Sequence, residues 1–237
     1  MPRPRVFLIA ENLQIVNAKI AEAARKSGRD PGRIGLIAVT KTVPVDRIRE
    51  AMQAGLACFG ENKIQEAKAK IEILGRTACR WHFIGHLQKN KVKFLFDRFD
   101  LVHSVDGFEL AEAIHAQSLE RRWVMPILIQ VNISGERSKS GVDPAQLQEL
   151  LVRVAPLPGI QVRGLMALPP MDPDPERSRP YFSRLRELRD GCAKMGIDNI
   201  RLDDLSMGMS NDYPVAIEEG ATLVRVGSAL FGPRPRP

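Results

Sequence analysis

Aromatic residues, cysteines and long apolar runs are all scarce in this sequence, and each shortage removes a class of protein. Only 5% of the 237 residues are aromatic, with no RNP-like cluster on which bases would stack. The three cysteines, Cys58, Cys79 and Cys192, lie far apart with no CxxC pair. They suggest neither a zinc ribbon nor a disulfide framework, and they fit a reducing compartment. No apolar run approaches the roughly 18 residues of a transmembrane helix. The start MPRPRVFLIAENLQ is basic, but its apolar stretch is only Val6–Ala10, shorter than a signal-peptide core and without a small-residue cleavage site. A cytoplasmic protein that touches no membrane is expected. There is no GxGxxG after the first apolar run, no GxxxxGK[ST] and no GxSxG, which disfavours dinucleotide-binding, P-loop and serine-hydrolase chemistry. His82 and His86 stand four apart, but around Phe83-Ile84-Gly85 at a strand end, with no Glu after the first histidine. No metal site is expected.

The formal net charge is +7. Arg3, Arg5, Arg234 and Arg236 supply four of those charges from proline-spaced tails, leaving +3 for the body. That is too bland for a nucleic-acid surface, and no nucleic-acid partner is expected. The composition, 44% hydrophobic and 27% charged, is that of a globular chain with a large core.

What the chain does contain is alternation. After an amphipathic helix over about Val6–Ser27, short apolar runs alternate with helical stretches. The runs are Leu36–Thr40, Ala57–Gly60, Trp81–Gly85, Leu101–Ser104, Pro126–Asn132, Val162–Ala167, Arg201–Ser206 and Leu223–Val226. Helices are expected over Pro44–Ala54, Lys63–Leu74, Lys89–Phe96, Phe108–Glu120, Pro144–Val154 and Glu176–Met195, then around Tyr213–Glu219 and Ser228–Phe231. Strand–helix alternation is the grammar of a parallel sheet, and near-continuous apolar strands fit a sheet covered on both faces. Eight such strands favour closure, so the fold class is α/β, a (β/α)8 TIM barrel. One domain is expected over 1–237, with short disordered Pro/Arg tails at about 1–5 and 233–237.

In such a barrel the chemistry gathers at the C-terminal ends of the strands, and phosphates often sit after strands 7 and 8. The first strand delivers Lys41, the second Glu61-Asn62, the third Gly85-His86. The seventh runs into Met207-Gly208-Met209-Ser210, and Gly227-Ser228 follow the eighth. Ser210 and Gly227-Ser228 each read as the opening of a helix, where free N–H groups bind anions. Lys41 at a water-poor rim is a candidate amine nucleophile for an aldehyde. Arg225, in phase with Gly227 on strand 8, faces the interior and needs a partner. A ligand or a carboxylate such as Asp203 or Asp204 would serve equally. Arg137-Ser138-Lys139-Ser140-Gly141 forms a basic loop on the same rim, able to supplement an anion site.

Six ordered motifs then carry a resemblance: AVTKTVP around Lys41, FGENKIQE at Phe59–Glu66, WHFIGHLQKNK at Trp81–Lys91, VNISGERSKSG at Val131–Gly141, LSMGMSNDYPVAIEEG at Leu205–Gly220 and VRVGSALFG at Val224–Gly232. Together they resemble the YggS/PROSC family of pyridoxal phosphate homeostasis proteins, from about residue 30 to 232. The resemblance implies a barrel similar to the N-terminal domain of alanine racemase and pyridoxal 5′-phosphate (PLP) as cofactor. It implies a reversible Schiff base on Lys41, phosphate binding by Ser210, Gly227 and Ser228, and Arg225 at the pyridine nitrogen. Asn62 and His86 would line the pocket, and Met207 and Gly208 would lie in the loop supporting the phosphate. Ser228 stands where threonine is common in the family and keeps the hydroxyl.

An arginine partner can only donate to the ring nitrogen, which makes the ring a poorer electron sink than a carboxylate partner would. Racemases with that arginine also need a base on the opposite face. In the alanine racemase likeness this is a tyrosine from an additional C-terminal domain; none is expected here, and neither Tyr181 nor Tyr213 matches its position. The expected role is therefore a non-catalytic carrier in intracellular PLP homeostasis that releases cofactor transiently to apo-enzymes. The alternatives are a low-activity PLP-dependent amino-acid racemase or lyase, and a phosphosugar enzyme using Lys41 without PLP. A monomer is expected, with weak dimerisation left open.

Overall fold

The computed structural model describes residues 8–136 and 139–233. Most of the two tails expected to be disordered, with Arg137 and Ser138, lies outside the described residues.

The chain opens with helix α1, Ile9–Lys26. Ile9, Leu13, Val16, Ile20 and Ala23 recur at three- and four-residue steps and are buried, the stripe that seats a helix on a core. Glu11 in its first turn and Arg25 and Lys26 in its last complement the helix dipole. The alternation follows: β1 Gly35–Val39, α2 Val45–Gln53, β2 Cys58–Glu61, α3 Ile64–Leu74, β3 Arg80–Phe83, β4 Leu101–Val105, α4 Phe108–Glu120, β5 Met125–Val131, α5 Leu147–Val154, β6 Ile160–Ala167, α6 Arg179–Ala193, β7 Ile200–Met209, α7 Tyr213–Glu218, β8 Leu223–Val226 and α8 Ser228–Phe231.

All eight strands pair in parallel in sequence order, and β1 pairs with β8 to close the barrel. The closing register sets Ile37 beside Arg225. Side chains alternate across each strand, dividing the apolar residues between two compartments. Leu101, Leu128 and Met166 form a small cluster with Leu223, consistent with the barrel lumen. Phe59, Trp81, Val102, Ile127 and Ile129 belong to the large core between strands and helices.

Most boundaries shift by a few residues from the sequence expectation, and three differences bear on the site or the element type. The stretch expected as a helix over Lys89–Phe96 is a 3-10 helix, Lys89–Phe94. Strand β7 continues past Ser206 to Met209, because a register shift against β8 lets Met209 pair with Arg225. The following helix starts only at Tyr213, so Ser210 does not immediately precede it. Among the described residues no helix is long and apolar enough to cross a membrane, and no cluster of His, Cys, Asp and Glu could hold a metal ion.

Candidate functional site

Lys41 occupies the turn just beyond β1 and is half-buried. Its backbone is clamped on both sides. The Thr40 hydroxyl, fully buried, donates to Glu61 Oε1 at 2.6 Å. Thr42 sits in the left-handed region at φ 63°, a conformation rare for a β-branched residue, and its N–H donates to Glu66 Oε1 at 2.5 Å. Lys70 of α3 ties these together, its ammonium donating to Thr40 O at 2.6 Å, Glu61 Oε1 at 2.7 Å and Glu66 Oε1 at 2.6 Å. Burial pushes the Glu61 carboxyl above its ordinary range, against the pull of Lys70. Burial also acts upward on Glu66, but the hydrogen bonds from Lys70 and Thr42 outweigh it and hold that carboxyl below its ordinary range. The sequence reading missed Lys70. Its signal was present: a lysine on the apolar stripe Ile64, Ala67, Ile71 of α3, four residues after Glu66.

Arg225 points into the barrel with 3% of its surface exposed. Among the described residues its partners are neither Asp203 nor Asp204. It donates to Ser206 Oγ and, at 2.9 Å, to the carbonyl of Ala167. Asp204 instead pairs with Arg163 at 3.2 Å and accepts from the Thr222 hydroxyl. Two neutral acceptors therefore satisfy Arg225 where a carboxylate was expected as one alternative. Burial lowers its pKa to about 10, opposed by the charge of Asp212, and the guanidinium stays cationic at neutral pH. Behind Ser206 the polar contacts continue. His103 Nδ1 lies 2.8 Å from Ser206 Oγ and His103 Nε2 lies 3.0 Å from His82 Nδ1. Burial lowers the His82 pKa to about 4 and drives His103 well below its ordinary value. Neither Ser206 nor His103 was legible as a site residue.

At the ends of β7 and β8 lie the residues expected to bind an anion, Ser210, Gly227 and Ser228. Ser210 is not a helix cap. Its hydroxyl reaches across to accept from the backbone N–H of Gly227 at 3.0 Å and of Ala229 at 3.3 Å. Gly227 is the N-cap of α8 and Ser228 its first residue, exposed at the mouth. Met207 and Gly208 belong to β7 rather than to a loop. The Met207 side chain is fully buried in the core outside the strands. Gly208 is required: at φ 87° a Cβ would lie 2.6 Å from the Ala216 Cβ and 2.9 Å from the Tyr213 Cα. Asp212 accepts from Met209 N at 2.7 Å and from the Ser178 hydroxyl at 3.0 Å, which fixes the turn.

On the remaining sides of the rim lie Asn62 and His86. Asn62 is half-buried, and its side-chain oxygen is fully buried with no hydrogen-bond partner. Gly85 lets β3 pass close beneath it, for a Cβ there would lie 2.1 Å from the Asn62 carbonyl oxygen. The His86 side chain is 62% exposed, with Nδ1 3.7 Å from Asp106 Oδ2 and 3.4 Å from Ser140 Oγ. His86, Gln130, Asn132 and Lys139 line a hollow of about 230 Å³ at this rim. A second hollow of about 360 Å³, around Cys192 and Ile200–Asp203, sits at the opposite end of the barrel, where β7 begins.

Lys41, Asn62, His86, Ser210, Gly227 and Ser228 thus all follow the C-terminal ends of strands and share one rim, with Arg225 inside the barrel on β8. The set joins a primary amine, a buried cationic donor, two serine hydroxyls and a buried oxygen lacking a partner. It can hold an anionic group at one end, face a polar ring from within the barrel and offer an amine to a carbonyl carbon.

Comparison with known proteins adds lineage to this geometry. The family profile of the alanine racemase N-terminal domain matches residues 12–235. A pyridoxal phosphate homeostasis protein of Aquifex aeolicus is 46% identical over 224 residues, covering 94% of this chain and 97% of that protein. A protein of the same name from Pseudomonas aeruginosa is 47% identical over 229 residues, covering 95% and 96%. Among solved structures, PipY of Synechococcus elongatus with PLP bound superposes with a TM-score of 0.84 at 36% identity, covering 94% of this chain and 100% of that one.

Proposed function

The chain belongs to the family of pyridoxal phosphate homeostasis proteins, built on the alanine racemase N-terminal domain fold, and on that premise we propose that it binds PLP at the barrel mouth. In this reading it takes up the cofactor reversibly, keeps the free aldehyde scarce and yields it to apo-enzymes. One observation carries the assignment. The Lys41 amine and the hydroxyls of Ser210 and Ser228 stand on one rim with the buried Arg225 cation inside the barrel, and these are donors that a phosphorylated pyridine aldehyde requires. The partnerless oxygen of Asn62 adds an acceptor in the same mouth.

When bound, PLP supplies an aldehyde that condenses reversibly with amines and a ring able to delocalise charge. Lys41 would offer its amine for a reversible carbon–nitrogen link, the backbone on either side of it held by the bonds of Thr40 O and Thr42 N. Ser210 and Ser228 would offer their hydroxyls to the phosphate at the start of α8, where Ser210 Oγ accepts from the Gly227 and Ala229 N–H groups. Arg225 would donate towards the ring nitrogen and, being unable to deliver a proton there, would keep the ring a weak electron sink. That weakness supports storage over carbanion chemistry. Tyr213 is consistent with this, since it packs in the core outside the strands and burial pushes its phenol up to about 12. All these groups come from one barrel, so we take a single chain as the working unit. Three free cysteines, all buried, support a cytoplasmic setting.

Titrating purified protein with PLP, then adding excess apo-enzyme, tests the carrier reading. We expect a new absorbance band on loading and recovery of the apo-enzyme's activity on mixing. Retention of the cofactor against a large excess of apo-enzyme would refute release. A racemase or lyase is the second reading, favoured by the exposed His86 imidazole between Asp106 and Ser140. Turnover of D- and L-amino acids faster than free PLP achieves would establish it.

A further inference from the structure

We propose that Ser206, His103 and His82 form a one-directional hydrogen-bond chain that positions Arg225, with both histidines locked as neutral Nε2–H tautomers. Its bearing on cofactor binding rests on the reading above; the tautomers themselves do not.

The direction follows from what each group is able to do. A guanidinium has five N–H groups and no acceptor, so the contact between Arg225 and Ser206 has Arg225 as donor. Ser206 Oγ is fully buried, and its other neighbour is His103 Nδ1 at 2.8 Å. If His103 also donated there, the serine hydrogen would be buried without an acceptor, which costs free energy that the native arrangement avoids. Ser206 therefore donates to His103 Nδ1. A neutral imidazole with an accepting Nδ1 carries its hydrogen on Nε2. That nitrogen lies 3.0 Å from His82 Nδ1, which must in turn accept. The same logic places the His82 hydrogen on Nε2. One cation at the start thus dictates every proton position along three strands besides its own: β7, β4 and β3.

The arrangement does two things for Arg225. With the Ala167 carbonyl at 2.9 Å it supplies a second fixed acceptor, so the guanidinium plane is held by two strands, β6 and β7. It also keeps a second positive charge off the histidines behind Ser206. A protonated His103 would set an N–H and a positive charge against Ser206 and Arg225, and burial opposes protonation of both rings. Arg225 then carries the only charge in the chain Arg225–Ser206–His103–His82, and its remaining N–H groups keep one orientation. Ser206 and His103 act through Arg225; they are positioning residues.

The test begins on PLP-free wild-type protein labelled with 15N at histidine. We expect the His103 and His82 side chains each to show an unprotonated Nδ1 and a protonated Nε2. A protonated Nδ1 on His103 would overturn the chain's direction. The second arm is Ser206→Ala, checked for folding by circular dichroism and titrated with PLP. Loss of one anchor is expected to weaken PLP binding about tenfold and to shift the absorbance band of the bound cofactor, a change that general loosening of the fold would not produce. A folded Ser206→Ala protein with unchanged affinity and band would overturn the positioning role. If wild-type protein bound no PLP, the cofactor reading would fail while the tautomer result still stood or fell alone.

Discussion

Ser210 spends its hydroxyl oxygen on two backbone N–H groups of the next strand's exit, Gly227 and Ala229. Ser210→Ala removes that acceptor together with the hydroxyl donor proposed for the phosphate. We expect about 1 kcal/mol lower stability and roughly tenfold weaker PLP binding, read by denaturant unfolding and by absorbance titration. Gly208→Ala acts differently. It forces a left-handed φ of 87° on a residue with a Cβ and drives that Cβ to within 2.6 Å of Ala216. The expected loss is roughly 2–4 kcal/mol, measured by the urea midpoint. The rim positions of Lys41 after strand 1 and Gly227 after strand 8 were legible in the sequence from the strand pattern. The bonds of Ser206 were not legible. His103 lies 103 residues away and meets it only because closure and register bring β4 and β7 to face each other across the lumen.

At the scale of elements, α3 is the support for the Lys41 turn. Lys70 carries the ion pair with Glu61, whose side chain is fully buried, and Glu66 bonds the Thr42 backbone. Lys70→Met leaves the buried Glu61 without its counter-ion, so about 3–5 kcal/mol of stability should be lost. A Lys70→Met/Glu61→Gln double variant should recover part of it, and a double-mutant cycle of unfolding free energies gives the coupling. Strand β7 shows where pattern reading falls short. The apolar run was expected to end at Ser206, and the resemblance placed Met207 and Gly208 in a loop, yet the register shift against β8 carries the strand through Met209. That extra length delivers Ser210 to the N–H groups of the β8 exit. The eight apolar runs themselves were plain, since both faces of each strand are covered and hydrophobicity alone marks them.

For the molecule as a whole, the buried histidines make stability depend on pH. Unfolded imidazoles gain a proton as pH falls through about 6.5. Folding holds His82 at about 4 and His103 well below its ordinary value, both through burial. Between those values the unfolded state binds more protons, so stability rises with pH. The contribution is complete above about 6.5 and is lost as pH falls towards 4, by roughly 1.4 kcal/mol per pH unit for each histidine. Glu61 runs the other way, because its raised pKa favours the folded state at lower pH. The comparison that isolates the histidines is therefore wild type against His82→Asn. Urea midpoints should fall from pH 7 to pH 5 in both, and less steeply in the variant.

The central claim concerns a single amine on the rim of a closed barrel, and chemical trapping addresses it directly. Wild-type protein is mixed with one equivalent of PLP, reduced with borohydride, digested and mapped by mass spectrometry. The account predicts that the reduced pyridoxyl group is found on the peptide containing Lys41 and that Lys41→Ala loses that site. A wild-type adduct mapped predominantly to any other lysine, or no adduct at all, would contradict it.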